Sequence, residues 1–272
     1  MNKRQILRVL LYVTLIVIAA LFAVPLVVMV ITSIKSPAEV VDTFALPKGI
    51  HVENYTKAFG VIGRGLLNSL FMTVPAVLIS AFVGSLGAYP LSQFRFKGDY
   101  AIYMFLLAGL FIPTQIVIIP LFQIMRSLNL YDSYMGMWLV HTVYGIPICT
   151  FYLRNFFATI PHSLLEASLI DGCSIAGYYF RILLPLAKPG FAAVIILQAR
   201  SIWNDLLFGL TLTRSEYVRP VTVELATFVG QTDVQYGQLM AATLLSILPT
   251  IIVFLIFRKQ FISGVLGGAV KG

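Results

Sequence analysis

Long apolar stretches, separated by short polar segments, make up most of this chain. Six of them carry few or no charged side chains and are long enough to cross a hydrocarbon core of about 30 Å as helices. They cover residues 9–32, 68–91, 100–124, 133–153, 189–212 and 239–257. The pattern predicts an all-α integral membrane protein with six transmembrane helices in a single domain over residues 1–272. The first apolar stretch is too long for a signal peptide, so we expect it to be retained.

Composition supports this prediction. The 272 residues are 59% hydrophobic and only 11% charged, whereas ordinary soluble domains carry roughly 25% charged residues. The two cysteines, Cys149 and Cys173, fall in or near the cytoplasmic half of the topology derived below, which argues against a disulfide. Neither has a neighbour suited to bind a metal. We therefore expect no metal site.

Lysine and arginine residues are distributed unevenly between the two sides of the predicted membrane. With the N-terminus inside, the inner set is Lys3, Arg4, Arg8, Arg95, Lys97, Arg154, Arg181, Lys188, Arg258, Lys259 and Lys271. The outer set is smaller and comprises Lys35, Lys48, Lys57, Arg64, Arg126, Arg214 and Arg219. The bias predicts that both termini face the cytoplasm. A basic surface beside anionic lipid accounts for much of the net charge of +8, so we expect no nucleic-acid partner.

The main polar interruption lies at about residues 158–188, here called the coupling loop, and contains two predicted short helices. The first should run from about Pro161 to Asp171. Proline suits the first turn of a helix, and Gly172 can adopt the left-handed backbone that ends one. The same topology predicts that this loop lies in the cytoplasm.

The first short helix of the coupling loop is predicted to have two faces. At helical spacing, Leu165 and Leu169 form an apolar stripe, and Ala167, Ser168 and Asp171 form a small polar face that suits close contact with a groove on a soluble partner. Glu166 is suited to pair with a basic residue beside that groove. The alternative is an amphipathic helix resting on lipid, but such helices usually carry Lys and Arg on the polar face.

Three short motifs in the coupling loop resemble the cytoplasmic loop of permease subunits of bacterial ABC importers. They are Glu166-Ala167-Ser168, Asp171-Gly172 and Ile182-Leu183-Leu184-Pro185. The resemblance implies a type I ABC importer permease fold. It also implies that Glu166, Ala167, Ser168, Asp171, Gly172 and Pro185 couple this chain to a separate ATPase.

The fifth predicted span contains polar residues at membrane depth, where an ionisable group suggests a functional site. They are Gln198, Arg200, Ser201, Asn204 and Asp205, with Trp203 among them. Gln198, Ser201 and Asp205 should share one helical face, and Arg200 and Asn204 another. These six residues are candidates for the solute path. The alternative is that these polar groups only satisfy one another between helices.

Two further motifs resemble the sugar-importing branch of the same family: Gly87-Ala88-Tyr89 followed by Arg95-Phe96, and the pair Trp203-Asn204. The glycine-rich tail at residues 258–272 also resembles that branch. This resemblance implies that Gly268, Ala269 and Lys271 contact the ATPase pair. Arg200 departs from a neutral-sugar pattern, and a fixed cation near the path favours an anionic sugar if no carboxylate neutralises it.

The resemblance further implies the rest of the transport complex. We expect a second homologous permease, two ATPase subunits that bind ATP and Mg²⁺, an extracytoplasmic solute-binding protein, a sugar and the lipid of the bacterial cytoplasmic membrane. This chain itself has no G-x-x-x-x-G-K-[ST] phosphate loop and no hydrolase motif, so we expect no catalytic residues and no cofactor of its own.

Three alternatives remain at this stage. An ion-coupled secondary transporter using Asp205 or Arg200 is the main one, although six spans without an evident inverted repeat are few for that role. An intramembrane enzyme and a scaffold or receptor subunit are the others. Dependence of uptake on ATP and on this chain separates them.

Overall fold

The structure describes residues 3–229 and 234–269, with side chains as far as Phe257, and most of these residues are helical. In this computed structural model, these residues form twelve α-helices and no strand. They are α1 (Lys3–Ser33), α2 (Glu53–Gln93), α3 (Asp99–Ala108), α4 (Thr114–Ser127), α5 (Tyr134–Phe157), α6 (His162–Ile170), α7 (Ile175–Tyr178), α8 (Leu184–Leu186), α9 (Lys188–Trp203), α10 (Leu207–Leu212), α11 (Val221–Val229) and α12 (Tyr236–Ala269). The prediction of an all-α protein is confirmed.

Among the described residues, four helices are individually long and apolar enough to cross a membrane, and two bent helix pairs bring the number to six if each pair counts as one span. The first pair is Asp99–Phe111 with Thr114–Ser127, bent by 95°. The bend follows a 3₁₀ turn at Gly109–Phe111, and Pro113 then has an extended backbone. Proline cannot continue the ladder of helical hydrogen bonds, so it begins a new helix here. The third predicted span is therefore a bent pair, as a proline within a span allows.

The second pair corrects the predicted fifth span, residues 189–212. Helix α9 ends at Trp203, and its apolar continuation lies before it, in Ile175–Leu186, across a bend of 74°. Pro189 lies in the first turn of α9, where a missing N–H costs nothing. Residues at the end of the predicted coupling loop therefore belong to this bent pair.

Helix α2 is much longer than its predicted span, because it starts at Glu53 rather than near Asn68 and runs for 41 residues. At about 1.5 Å per residue, a helix of this length exceeds the thickness of a bilayer. Hydrophobicity marks the part of a helix that lies in lipid, not where the helix begins. Residues 53–67, which precede the predicted second span, are therefore helical.

Two compact units are distinguished within the chain. The first comprises Met1–Gly63 and Glu224–Leu248. In it, the amide of Asn54 donates hydrogen bonds to the carbonyl oxygens of Ser33 and Lys35, each at 2.9 Å. The buried ammonium of Lys35 donates to the carbonyl oxygen of Asp42 at 2.7 Å. These bonds fold the segment after α1 back on itself.

The second unit comprises Arg64–Val223 and Pro249–Gly272 and contains the coupling loop. Its main core cluster is Ala81, Ala88, Tyr89, Cys149, Leu153, Phe157, Leu165, Tyr178, Tyr179, Leu183, Ala187 and Val194. Side chains from α2, α5, α9 and the coupling loop thus share one apolar interior.

Small residues recur at three- and four-residue spacing on α2 and are buried: Ala81, Gly84, Ser85 and Ala88. A Cβ atom added at Gly84 would lie 2.6 Å from Cβ of Cys149 and 3.1 Å from the backbone N of Thr150. The Thr150 hydroxyl donates to the carbonyl oxygen of Gly84 at 3.2 Å. Small residues allow a helix to approach either another helix of the same chain or a second permease. At Gly84, α2 approaches α5 of the same chain.

Candidate functional site

The ends of α6 agree with the predicted ends of the coupling helix. Pro161 has an extended backbone at its start, and Gly172 has a φ of 80° just past its end. The N–H of Cys173 donates to the carbonyl oxygen of Ser168 at 2.9 Å, and that of Gly172 donates to Leu169 at 3.1 Å. This pair of bonds is the Schellman motif, in which a left-handed glycine satisfies the last carbonyl groups of a helix.

The predicted faces of α6 need a correction. Leu165 is buried, as predicted, but Ser168 is buried as well, with its hydroxyl donating to the carbonyl oxygen of Leu165 at 2.7 Å. Positions three apart lie on the same side of a helix, and a serine hydroxyl can be satisfied by its own helix. Leu169 lies instead on the outer side, 42% exposed. The exposed surface therefore includes Glu166 and Ala167 but not Ser168.

Glu166 extends from this exposed surface and is held by a neighbour. Its Oε1 atom lies 3.1 Å from Nδ1 of His162, one helical turn earlier. Nε2 of the same imidazole lies 3.0 Å from the carbonyl oxygen of Gln93, the last residue of α2. Both partners are acceptors, so both bonds form together only when both ring nitrogens carry protons. The four-residue spacing of His162 and Glu166 is visible in the sequence, whereas the contact of His162 with Gln93 joins distant segments and could not be predicted from it.

The second half of the coupling loop also has defined local structure. The Ser174 hydroxyl accepts a hydrogen bond from the N–H of Gly177 at 3.0 Å and caps α7, as serine commonly does. A π-helical turn follows at Tyr179–Leu183, and Pro185 lies in the short helix α8. π-Helical turns are rare and occur frequently at functional sites.

The polar residues of the predicted fifth span do not share a single helix. Asn204 ends α9, and its amide donates to the carbonyl oxygen of Arg200 at 2.9 Å. Asp205 lies beyond that end, and its Oδ2 accepts the N–H of Gly209 at 3.1 Å. Asp205 therefore acts as an acceptor at the start of α10. The predicted face shared by Gln198, Ser201 and Asp205 is not formed.

The remaining candidates for the solute path differ in exposure. Arg200, Ser201 and Asn204 are exposed, whereas Gln198 and Trp203 are buried. Gln198 packs closely against α5 at Gly145. The spacing predicted two environments for these polar groups. The structure has an exposed and a buried environment, but the residues are divided between them differently from the prediction.

A cavity of about 100 Å³ lies beside Arg200 and Trp203. Its other polar lining residues are Thr73 of α2 and Thr250 of α12. The Thr73 side chain is buried, and its Oγ1 has no hydrogen-bond partner among the described residues. Within that part of the chain, no carboxylate forms an ion pair with Arg200. Sequence reasoning missed both threonines because single hydroxyl groups in apolar spans give no signal.

A second set of contacts lies at the opposite end of α5 and holds the segment after α10. The Asn68 amide donates to the carbonyl oxygens of Glu216 and Arg219 at 2.9 and 2.8 Å. Tyr134 Oη lies 2.7 Å from Asn68 Oδ1, and the Arg64 guanidinium lies 4.1 Å from the centre of the Tyr217 ring. These contacts fix the shape of the predicted outer segment after Arg214.

The C-terminal tail is described only in part. Gly268 and Ala269 are within α12, which continues to Ala269, whereas Lys271 lies outside the described residues. The backbone is therefore helical at Gly268 and Ala269, and their contact with the ATPase pair stays a prediction.

Taken together, the bent spans and the short capped helix with an exposed acidic residue define a helical membrane transport subunit. Residues 76–266 match the family "Binding-protein-dependent transport system inner membrane component". The chain belongs to this family, which confirms the resemblance drawn from the coupling loop. Members of this family are transport subunits and not enzymes.

Relatives and solved structures agree with this assignment. The chain is 31% identical to the "Arabinooligosaccharides transport system permease protein AraQ" of Bacillus subtilis (strain 168), covering 98% of this chain and 97% of the relative. It is 32% identical to the "Diacetylchitobiose uptake system permease protein NgcG" of Streptomyces coelicolor, covering 94% and 87%.

A crystal structure of a bacterial ABC transporter involved in the import of the acidic polysaccharide alginate contains a chain with a TM-score of 0.83 and 26% identity. The match covers 96% of this chain and 98% of that one. This chain therefore has the fold of an ABC importer permease.

Proposed function

We propose that this chain is the membrane-spanning permease subunit of an ATP-driven, binding-protein-dependent sugar importer. The relatives named for arabinooligosaccharide transport and diacetylchitobiose uptake support a sugar as the solute. The chain pairs with a second homologous permease, two ATPase subunits and an extracytoplasmic binding protein. It lies in the bacterial cytoplasmic membrane with both termini in the cytoplasm, and ATP and Mg²⁺ bind to the ATPase subunits.

The observation that carries this proposal is the construction of α6. Its start and end are determined by Pro161 and Gly172, and Leu165 anchors it in the core. Glu166, with 66% of its side chain exposed, lies beside the small side chain of Ala167. A short helix with fixed ends, a buried anchor and an acidic outer residue can enter a groove on a soluble partner and pair with a basic residue there.

The mechanism that follows is alternating access. Closure of the two ATPases around ATP displaces α6, and the displacement reaches the bent spans and opens the path to the outside. Hydrolysis returns the complex to the inward state. A displacement of this kind requires that α6 make different contacts in the two states. The permease makes and breaks no covalent bond.

The first test of the proposal is co-purification of the chain with its candidate ATPase, comparing the wild type with Glu166→Lys. We expect the charge reversal to reduce both the yield of the complex and the ATP hydrolysis stimulated by binding protein and sugar. Glu53→Lys is a matched control, because Glu53 is also exposed and pairs with a basic residue one turn away, Lys57, but outside the coupling loop. It should leave both quantities near the wild-type values.

Two results would count against the proposal. Equal complex yields for Glu166→Lys and wild type would remove Glu166 from the docking contact. Uptake that persists in vesicles without ATP would favour an ion-coupled secondary transporter instead.

We further propose that the transported sugar is anionic. Arg200 has no carboxylate partner among the described residues and lies beside a cavity that also exposes threonine hydroxyls. An uncompensated cation at membrane depth is costly unless a ligand or another charge neutralises it. The related structure of an importer of the acidic polysaccharide alginate supports a charged solute.

Arg200→Gln tests this proposal when uptake of a uronate oligosaccharide is compared with uptake of a neutral one of similar length. We expect uronate uptake to fall at least roughly ten-fold, since a charged hydrogen bond contributes about 1.5–3 kcal/mol, with a smaller loss for the neutral sugar. Arg126→Gln removes an exposed cation far along the chain and serves as the control. Equal losses for both sugars in Arg200→Gln would refute the charge argument.

A further inference from the structure

Three residues at the coupling-loop end of α2 lie along one side of the helix. Ser85, Tyr89 and Gln93 are spaced by four residues, and positions four apart lie one above the other on a helix. All three are buried, with exposed fractions of 0%, 8% and 5%. We call this set the α2 stripe.

Each member of the α2 stripe bonds a different part of the coupling loop. The carbonyl oxygen of Gln93 is 3.0 Å from Nε2 of His162, the first residue of α6. The hydroxyl of Tyr89 donates to the carbonyl oxygen of Ile175, the first residue of α7, at 3.0 Å. Along the chain, the partners therefore occur in the opposite order to the stripe residues: His162 precedes Ile175, whereas Gln93 follows Tyr89.

The third contact joins the stripe to the π-helical turn. The hydroxyls of Ser85 and Tyr179 share a hydrogen bond of 2.5 Å, and both residues are buried. The three bonds therefore bracket α6: one lies at its start, and two lie beyond its end. A displacement of the whole coupling loop relative to α2 must therefore break these bonds or move α2 with the loop.

Apolar packing and hydrogen bonds differ in how they resist such a displacement. Leu165 of α6 packs in the same core cluster as Tyr89, Tyr178 and Tyr179, but apolar contact is non-directional and tolerates sliding. Hydrogen bonds depend on distance and angle, and a buried polar group that loses its partner is costly. The bonds therefore add a directional constraint on the register between the coupling loop and α2.

We infer that the α2 stripe is the route by which movement of the coupling helix reaches α2, with Tyr89, Tyr179 and His162 as positioning residues. The inference rests on the proposed function, because it assumes that an ATPase moves α6. It goes beyond that function by naming the helix that receives the movement and the bonds that carry it.

The experiment compares single hydroxyl deletions within one tyrosine cluster. Tyr89→Phe and Tyr179→Phe each remove one bond of the stripe and keep the aromatic ring. Tyr178→Phe is the matched control, because Tyr178 is also fully buried in this cluster and its hydroxyl has no hydrogen-bond partner among the described residues. Each variant is assembled with the ATPase and the binding protein in lipid vesicles, and sugar uptake and ATP hydrolysis are measured together.

We expect the number of sugar molecules imported per ATP to fall roughly two- to ten-fold for each lost bond, as the usual worth of one hydrogen bond implies. Complex yield should stay close to that of Tyr178→Phe, and the melting temperature should fall by no more than the loss of one hydrogen bond implies. A merely structural role would lower yield and melting temperature while leaving the sugar-to-ATP ratio unchanged, and that result would overturn the inference.

Failure of this inference is distinguishable from failure of the proposed function. If Glu166→Lys prevents assembly but both Tyr→Phe variants transport like Tyr178→Phe, the docking role stands and the α2 stripe is refuted as the route. If Glu166→Lys assembles normally, the docking role itself is wrong, and so is the inference built on it.

Discussion

At the scale of single residues, Gly172 shows how one backbone angle shapes the docking helix. Its φ of 80° is a conformation that L-residues with a side chain adopt at a cost of about 1–2 kcal/mol. A Cβ atom at this position would meet no atom within 4 Å, so the cost is backbone strain alone. We expect Gly172→Val to lower both the melting temperature of the purified chain and its co-purification with the ATPase.

Gly98 is the natural control for this prediction. It also has a positive φ, 96°, with open space around its Cα, but it lies at the start of α3 rather than in the coupling loop. Gly98→Val should lower the melting temperature to a similar extent and leave ATPase binding intact. Equal loss of ATPase binding in both variants would mean that general instability, not the end of α6, explains the effect.

Asp132 also has a left-handed backbone, with a φ of 56°, and its charge has a structural role. Its Oδ1 accepts hydrogen bonds from the N–H groups of Arg214 and Ser215 at 2.8 and 3.0 Å. Partial burial raises the pKa of Asp132, but these bonds and the charge of Arg214 outweigh burial, and the pKa lies below its ordinary value. The carboxylate thus stabilises the fold at neutral pH, and this contribution is lost as the pH falls through the lowered pKa.

Asp132→Asn should therefore destabilise the chain at pH 7 by about 1 kcal/mol or less, because solvent screens a partly exposed charge. The difference in melting temperature between this variant and wild type should shrink as the pH is lowered below about 4, the ordinary pKa of aspartate. A difference that is the same at pH 7 and pH 3 would show that shape, and not charge, is what Asp132 provides.

At the scale of helices, the close contact between α2 and α5 depends on the absence of a side chain at Gly84. An added methyl group would meet Cβ of Cys149 and the backbone of Thr150, neither of which can move freely. We expect Gly84→Ala to destabilise the second unit by about 1–3 kcal/mol, the usual cost of overpacking a core. The melting temperature of the detergent-solubilised chain measures this.

Gly60 offers the matched control within the same helix. Nothing lies within 4 Å of a Cβ atom added there, so Gly60→Ala should be neutral or stabilising by about 0.5–1 kcal/mol, because alanine favours a helix more than glycine does. If the two variants melted at the same temperature, close approach of α2 and α5 at Gly84 would not limit stability.

How far the sequence predicts these helices depends on the range of the interactions involved. The ends of α6 follow from Pro161 and Gly172, residues whose backbone preferences act locally, and both ends were predicted. The inward orientation of Ser168 and the bonds of the α2 stripe depend on packing between segments that are far apart in sequence. Hydrophobic runs located most of the spans but not the extent of the fifth or the angles of the bends, because a bent pair and a straight helix have the same apolar length.

At the scale of the whole molecule, α5 separates two functional ends. Its 24 residues correspond to about 36 Å at 1.5 Å per residue, enough to cross the membrane. The turn before α5 contains Leu128, and the loop after it contains Ile170; these residues are 54% and 87% exposed. In the proposed orientation, Leu128 lies outside the cell and Ile170 lies in the cytoplasm beside the ATPase.

Cysteine labelling tests this orientation directly. In a background with Cys149→Ala and Cys173→Ser, we expect a membrane-impermeant maleimide to label Leu128→Cys in intact cells and Ile170→Cys only after the membrane is opened. Labelling of Ile170→Cys should then fall when the ATPase is present, because the docked ATPase covers the exposed side of α6. The opposite order of labelling would place the coupling loop outside the cell, away from ATP, and would contradict the importer as proposed.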